Sequence, residues 1–499
     1  MADSACWLCK KSGNIACSAC STTACSEFHL AAHYTQIQGQ EKKCRPIRVE
    51  YREGAGNCLV ATADIKPGEV ILQEYPAVVA PSLVSATVCL ECLRNWQGAN
   101  LCSKCKFPVC NKECEQGTNH KQECSVLALL PTAPTFKPDE RSNPAFALIG
   151  VIRFLFLQEN PDLADRTSLL MDHVDDIKGS PDLLNMWEGT AVQQLVRELP
   201  NSKYTKEDVL RAVGVLHTNS VAGMGRGHAL YPTFSLTNHS CICNSRFQIY
   251  PDRSILLRAQ VSIPKGSEIT TQYLTPLIGT MPRRQKIRKN WFFSCICDRC
   301  ADPTEKGTFL SGIICQSCQD IVLPANPLDY ETTWKCMKCS VETTGATVQA
   351  LMNSLQADLD STDPADFDAL QTKRKNWAKV LHQNHYLFLQ LKRNILGCLK
   401  MLPEARLEQQ NRKRLELQVA LAEQNIQVFD VLDPGLTILR GRMIQHCNGP
   451  KLQLANMDLK NKKISRLEFL QATARSLNNV KIATSCFEDY QQDPSVGSD

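Results

Sequence analysis

Leu230-Tyr231-Pro232-Thr233-Phe234-Ser235-Leu236-Thr237-Asn238-His239-Ser240-Cys241 is the stretch on which the reading of this chain turns. Alone, its Asn238-His239-Ser240-Cys241 end would read as a polar turn after a strand. Its company changes that. Asn244 follows Cys241 after two intervening residues, then come Gly266-Ser267-Glu268-Ile269-Thr270 and Tyr273. The series closes on Trp291-Phe292-Phe293-Ser294-Cys295-Ile296-Cys297-Asp298-Arg299-Cys300. Strand character runs from Phe234 to Tyr273, broken by the turn Ile263-Pro264-Lys265-Gly266-Ser267-Glu268. A similar turn, Ile65-Lys66-Pro67-Gly68-Glu69, interrupts an earlier Val/Ile-rich strand region, Cys58 to Ala80.

The cysteines are the next signal. Of 26, all but Cys58, Cys243, Cys398, Cys447 and Cys486 fall into groups with metal-ligand spacing. The N-terminus opens Met1 to Ser4 and then Cys6, without a basic-then-apolar secretory segment, so a reducing compartment and zinc thiolates are expected over disulfides. Cys89, Cys92, Cys102, Cys105, Cys110, Cys114, His120 and Cys124 supply eight ligands, enough for two closed tetrahedral sites. Cys315, Cys318, Cys336 and Cys339 form two CxxC knuckles with 17 residues between them, the pattern of a zinc ribbon. An N-terminal cluster holds Cys6, Cys9, Cys17, Cys20, Cys25, His29, His33 and Cys44. It divides into Cys6, Cys9, Cys25, His29 and Cys17, Cys20, His33, Cys44, with one ion or two. Such pieces have little core of their own, and metal binding supplies most of their folding energy.

At 499 residues the chain has room for about three domains, and 43% hydrophobic with 21% charged residues is the balance of an ordinary globular protein. A net charge of +5 gives no warrant for strong nonspecific binding to nucleic acid or anionic lipid. Apolar runs such as Phe146 to Leu157 are too short to cross a bilayer. Helical periodicity is expected from Pro144 to Val221 and almost throughout after Val348. Arg406–Leu432 is a long amphipathic run stopped by Asp433-Pro434-Gly435, and Ser465-Arg466-Leu467-Glu468 fits a capping box. Gln491–Asp499 reads as a loose tail.

Taken in order, these motifs resemble the SET core with its cysteine-rich post-SET segment. The Cys89–Cys124 spacing resembles the MYND zinc module, and its position inside the SET sequence is the arrangement of the SET-and-MYND (SMYD) family. The extra N-terminal module and the ribbon resemble an arthropod branch. The resemblance implies an α+β, multidomain chain. Residues 1–45 would be a MYND-like module, 46–85 the first SET part, 86–125 the MYND finger and 126–220 a helical SET insert. Residues 221–290 would be the SET core, 291–345 the post-SET segment and ribbon, and 346–499 an all-α, TPR-like domain. In the MYND finger Cys89, Cys92, Cys110 and Cys114 would hold one ion, and Cys102, Cys105, His120 and Cys124 the other. Cys241 would join Cys295, Cys297 and Cys300 around a post-SET zinc, or be merely buried.

The same resemblance implies a protein-lysine methyltransferase using S-adenosyl-L-methionine, acting on a histone or non-histone lysine. Gly54, Ala55, Gly56, Asn219, Ser235, Asn238, His239, Tyr273 and Phe293 would line the cofactor site, with Tyr273 as the orienting catalytic hydroxyl. The chain departs from the family pattern at Trp291, where many relatives have tyrosine, and at Val221, Glu53, Ala55 and Cys243. These departures motivate the alternative, a SET-fold adaptor of corepressor type. A MYND module implies proline-containing peptide partners, and the family implies a chromatin regulator of cytoplasm and nucleus. Neither a membrane nor sequence-specific DNA is expected, since Glu91, Glu113, Glu115 and Glu123 interrupt the basic residues of the finger.

Overall fold

The computed structural model describes residues 5–9, 11–18, 22–35, 43–83, 86–131, 134–138, 140, 143–199, 201–222, 227–401 and 412–487. Cys20, the start of the Arg406–Leu432 run and the Gln491–Asp499 tail lie outside the described residues.

Ile47 and Val49 are buried between more exposed Arg48 and Glu50, the alternation of a half-buried strand. This strand, Ile47–Arg52, pairs antiparallel with Gly56–Ala61, and the turn between them needs Gly54 at φ +76° and Gly56 at φ +73°. Ile255–Ala259 pairs with both Ser245–Ile249 and Val70–Glu74, and Gly227–Leu230 with both Val78–Pro81 and Val221–Ala222. The two look-alike Pro/Gly turns meet each other. Ile65 and Ile263 exchange both backbone hydrogen bonds at 2.9 Å, and Gly68 and Gly266 take φ +85° and +83°. That pairing brings Glu268 opposite Val60 and sets Thr270–Thr271 parallel to Asn238–His239.

The insert is helical as its periodicity predicts. Ala147–Leu157 buries nine of its eleven residues, so it is a central helix, packed between the strand Val78–Pro81 and the helix Lys206–Asn219. A reciprocal Thr205/Asp208 box caps Lys206–Asn219. Gly214 on that helix admits the Asp172 carbonyl, which would lie 1.8 Å from an added Cβ. Glu188–Glu198 is π-helical, a feature the sequence pattern does not announce.

Thr280–Trp291 leads from the SET core to the post-SET cysteines. The ribbon follows as a four-stranded antiparallel sheet from Ile313 to Thr343, and six helices among the described residues run from Gly345 to Phe487. The expected box at the last helix is present, with Ser465 N–H donating to Glu468 Oε2 at 2.7 Å and Glu468 N–H to Ser465 Oγ at 3.2 Å. The Asp433-Pro434-Gly435 stop docks the helices on the SET core: Leu436 N–H donates to Gln260 O at 3.2 Å, and Gly435 sits at φ +92° against the same carbonyl. The architecture is α+β and multidomain. No helix among the described residues is long and apolar enough to cross a membrane. One hydrophobic core joins both cysteine-rich modules to the SET strands and insert, and a second joins the ribbon to the C-terminal helices.

Candidate active site and metal centres

The site forms where Asn238–His239 runs beside Thr270–Thr271, with Ser240 N–H bonded to Thr271 O at 3.0 Å. From there Asn238 Nδ2 reaches the Ala55 carbonyl at 3.2 Å and Glu268 Oε1 at 2.9 Å. Glu268 is held in turn by Arg52 Nη1 at 2.9 Å. The Gly54-Ala55-Gly56 turn is thereby tied to the strand crossing, and nothing lies within 4 Å of a Cβ built on Gly54. A backbone free of side chains on that side can be approached closely by a ligand.

The insert reaches these strands through hydrogen bonds. Asn57 Nδ2 donates to Leu169 O at 2.8 Å, and Asn219 Nδ2 to Met171 O at 2.8 Å. Ser235 Oγ donates to the Asn219 carbonyl at 2.9 Å, so Asn219 and Ser235 form one unit. Below them, Tyr273 N–H donates to His239 Nδ1 at 3.2 Å and Tyr273 OH to Thr237 O at 3.0 Å. The Tyr273 ring lies 5.1 Å from Trp291 and 5.2 Å from His239, and Phe293 lies 6.2 Å from His239. Burial pushes the Tyr273 phenol up, so it is a neutral donor at physiological pH. The structure thus ties Asn238 to Ala55, Ser235 to Asn219 and Tyr273 to His239, with the Phe293 ring beside His239. Arg52, Met171 and the role of Glu268 were not legible in sequence, because each acts on a residue far away in the chain.

Among the described residues, groups that bring four ligand atoms within 4.8 Å of one another include five sets of cysteines and histidines. They are Cys6, Cys9, Cys25, His29; Cys89, Cys92, Cys110, Cys114; Cys102, Cys105, His120, Cys124; Cys241, Cys295, Cys297, Cys300; and Cys315, Cys318, Cys336, Cys339. Tetrahedral zinc with Zn–S near 2.3 Å requires sulfurs about 3.8 Å apart. Cys241 lies 3.8 Å from Cys295 and 3.6 Å from Cys300, and Cys102 3.6 Å from Cys124. Cys92 lies 3.6 Å from Cys110, Cys315 3.6 Å from Cys339, and Cys9 3.4 Å from Cys25. The donor sets fit zinc. His120 turns Nε2 to Cys105 at 3.8 Å, and its Nδ1 lies 3.8 Å from Glu123 Oε1 without a hydrogen bond. In the remaining N-terminal set, Cys17 and Cys44 lie 3.5 Å apart and His33 is buried beside Trp7, while Cys20 is outside the described residues.

Around the post-SET cysteines the structure adds what spacing could not. Arg283 Nε points at Cys241 Sγ from 3.1 Å and its Nη2 at Cys300 Sγ from 3.4 Å. Arg283 and Arg299 share Glu305 Oε2 at 3.2 and 2.9 Å, and all three side chains are 1% exposed. The Arg283 guanidinium beside Cys241 and Cys300 offsets part of the negative charge that a divalent ion leaves on four thiolates.

The SET domain family matches residues 56–274, which hold the pairing of Asn238–His239 with Thr270–Thr271. The SET domain-containing protein SmydA-8, isoform A, of Drosophila melanogaster is 31% identical over 57% of this chain and 63% of its own length. Histone-lysine N-methyltransferase SMYD3 of Mus musculus is 29% identical over 52% of this chain and 62% of its own. The chain therefore spans less than two thirds of the curated relatives it matches first. Among solved structures, Rubisco LSMT bound to sinefungin and monomethyllysine is similar at a TM-score of 0.33 and 11% identity, over 93% of this chain and 90% of that one. With SET strands and a cysteine-rich finger set between them, the chain carries a SET domain and resembles these SMYD-family relatives.

Proposed function

We propose that this protein is a protein-lysine methyltransferase using S-adenosyl-L-methionine. The observation that carries the reading is the juxtaposition of Asn238, tied to the Ala55 carbonyl, with the inward, hydrogen-bonded Tyr273 one strand away. Asn219, Ser235, Asn238 and the Gly54–Gly56 backbone would hold the cofactor, with His239 and Phe293 packing beneath it. When bound, that cofactor supplies an electrophilic methyl group on a sulfonium. The accepting lysine must be neutral, and from an ordinary value near 10.4 that costs about 4–5 kcal/mol at pH 7. A channel walled by Tyr273 and Trp291 lowers the cost by excluding water from the ammonium form. Tyr273, fixed through Thr237 O, contributes alignment.

The substrate class is a histone or other protein lysine, with proline-containing peptides as partners of the MYND-type finger, at sites in cytoplasm and nucleus. A corepressor-type adaptor is the second reading, favoured by Trp291, whose ring covers Tyr273 at 5.1 Å where a hydroxyl would otherwise stand. The deciding experiment is incubation of zinc-loaded protein with methyl-labelled S-adenosylmethionine and cell extract. Transfer to protein lysines, lowered at least tenfold by Tyr273→Phe, is the expected result. Folded protein with full zinc content and no transfer would leave the adaptor.

A further inference from the structure

The N-terminal zinc module packs between the SET hairpin and the insert. Its backbone joins the SET hairpin directly, Val49 N–H bonding to Trp7 O at 3.3 Å, and that hairpin carries the Gly54–Gly56 turn. On the other side its short helix Glu27–Ala31, which bears the ligand His29, faces the insert helix Pro161–Thr167. Ser26 Oγ donates to Asp162 Oδ1 at 3.3 Å, Lys11 pairs with Asp165, and Arg166 lies over the Phe28 ring at 5.7 Å.

From Phe28 a chain of contacts runs inward. Phe28 and His29 rings are 6.1 Å apart. Arg166 forms an ion pair with Glu74 and donates to Thr233 Oγ1 at 2.8 Å. Glu74, 6% exposed, accepts from Thr233 N–H at 3.1 Å and Phe234 N–H at 2.8 Å. Those amides begin the turn that carries Ser235, bonded to Asn219 O, and leads into Asn238. A buried carboxylate with a charged partner is costly to move, so this chain has few alternative arrangements.

We propose that the N-terminal zinc module is a positioning element for the cofactor pocket, acting through Phe28, Arg166 and Glu74 on Thr233–Asn238. The cofactor part of this proposal rests on the methyltransferase reading. Its mechanical part does not. Phe28 is 38% exposed and ligates nothing, so Phe28→Ala removes the first contact while keeping the ligand set.

The test uses the full, zinc-loaded chain as wild type, Phe28→Ala, Phe28→Tyr and His29→Ala. Amide hydrogen exchange is read at Thr233–Asn238 and, as a control, across the ribbon, beside zinc content and the dissociation constant for S-adenosylmethionine. Phe28→Ala is expected to keep its zinc, exchange about two- to fivefold faster at Thr233–Asn238, and bind the cofactor weaker by the same factor, the size of one exposed-site cation–π contact. Phe28→Tyr restores both, and kcat at saturating cofactor is unchanged. His29→Ala loses zinc and shows a larger change at Thr233–Asn238, with the ribbon undisturbed. Unchanged exchange at Thr233–Asn238 in both alanine variants, or a change spread equally over the ribbon, overturns the proposal. If the wild type binds no S-adenosylmethionine, the methyltransferase reading fails on that alone, and exchange at Thr233–Asn238 decides this one.

Discussion

Glu305 is the residue whose removal the structure marks as most costly outside the cofactor pocket. Its carboxylate accepts from Arg283 Nη1 at 3.2 Å, Arg299 Nε and Nη2 at 3.1 and 2.9 Å, and Ser311 Oγ at 2.6 Å. Burial works against its charge, yet Arg299 and Arg283 hold its carboxyl below the ordinary value. Glu305→Gln keeps the shape and deletes the charge. Each guanidinium then loses a gross attraction of about 5 kcal/mol, from 332/(εr) at about 3 Å and an effective dielectric of 20. Most of that was offset by desolvation, which the variant does not recover, because both arginines stay buried and now repel each other. The expected net loss is about 3–5 kcal/mol. Thermal and urea unfolding at pH 7.5, with zinc released from the post-SET set followed by a chelating dye, measure it. Arg283 also faces Cys241 and Cys300, so zinc there should be lost earlier in the melt than zinc from the ribbon. A loss below about 1 kcal/mol with unchanged zinc release would mean that the arginines are satisfied without Glu305, and the reasoning would fail.

Two further outcomes follow from junctions of the fold. Burial raises the Asp433 carboxyl to about 6, so its contribution to stability is full below the unfolded value near 3.9 and is lost as pH rises through 6. Asp433→Asn should therefore stabilise the protein by about 3 kcal/mol at pH 7.5 and by about half that at pH 5, as read from urea midpoints. An equal gain at both pH values would trace the effect to packing. Gly214→Ala puts a methyl 1.8 Å from the Asp172 carbonyl, so the helix Lys206–Asn219 and the Met171–Asp172 wall must separate. A loss of about 2–3 kcal/mol is expected, with weaker S-adenosylmethionine binding by calorimetry, and an unaltered melt would show that the loop yields freely.

What could be read from sequence here is what short chain segments impose. A metal ion gathers CxxC pairs from tight turns, so ligand types and spacings announce the sites. A capping box such as Ser465/Glu468 is closed within one helical turn. The Asn238–Cys241 stretch announced itself through ordered neighbours. Contacts that close across long separations carried no such signature. Arg52 meets Glu268, Arg166 meets Glu74 and Ile65 meets Ile263, and no local rule distinguishes these residues from any other surface arginine or turn isoleucine. The resemblance between the two Pro/Gly turns was visible in sequence, but their pairing with each other was not.

These long-range contacts share a design. At the MYND-type finger, Arg153 from the insert helix pairs with fully buried Glu123 and donates to the Leu90 carbonyl at 2.7 Å. The insert meets the SET strands through Arg166 and Glu74, with Phe28 of the N-terminal module under Arg166, and the post-SET segment is joined through Arg283, Arg299 and Glu305. In each case an arginine at a module boundary meets one buried glutamate. Zinc modules bring little apolar surface, so hydrophobic burial alone would leave their orientation on the SET core loosely fixed. A guanidinium has directional donors and cannot shed its charge, and it accepts only arrangements that satisfy them. Burying such a pair adds little net stability, but breaking it is expensive, which favours one docked geometry over near alternatives. At the finger, Glu123 also lies 3.8 Å from the ligand His120, so loss of the ion there would disturb the surroundings of a buried charge. Metal release and loosening of the Arg153–Glu123 contact should therefore be coupled at that junction.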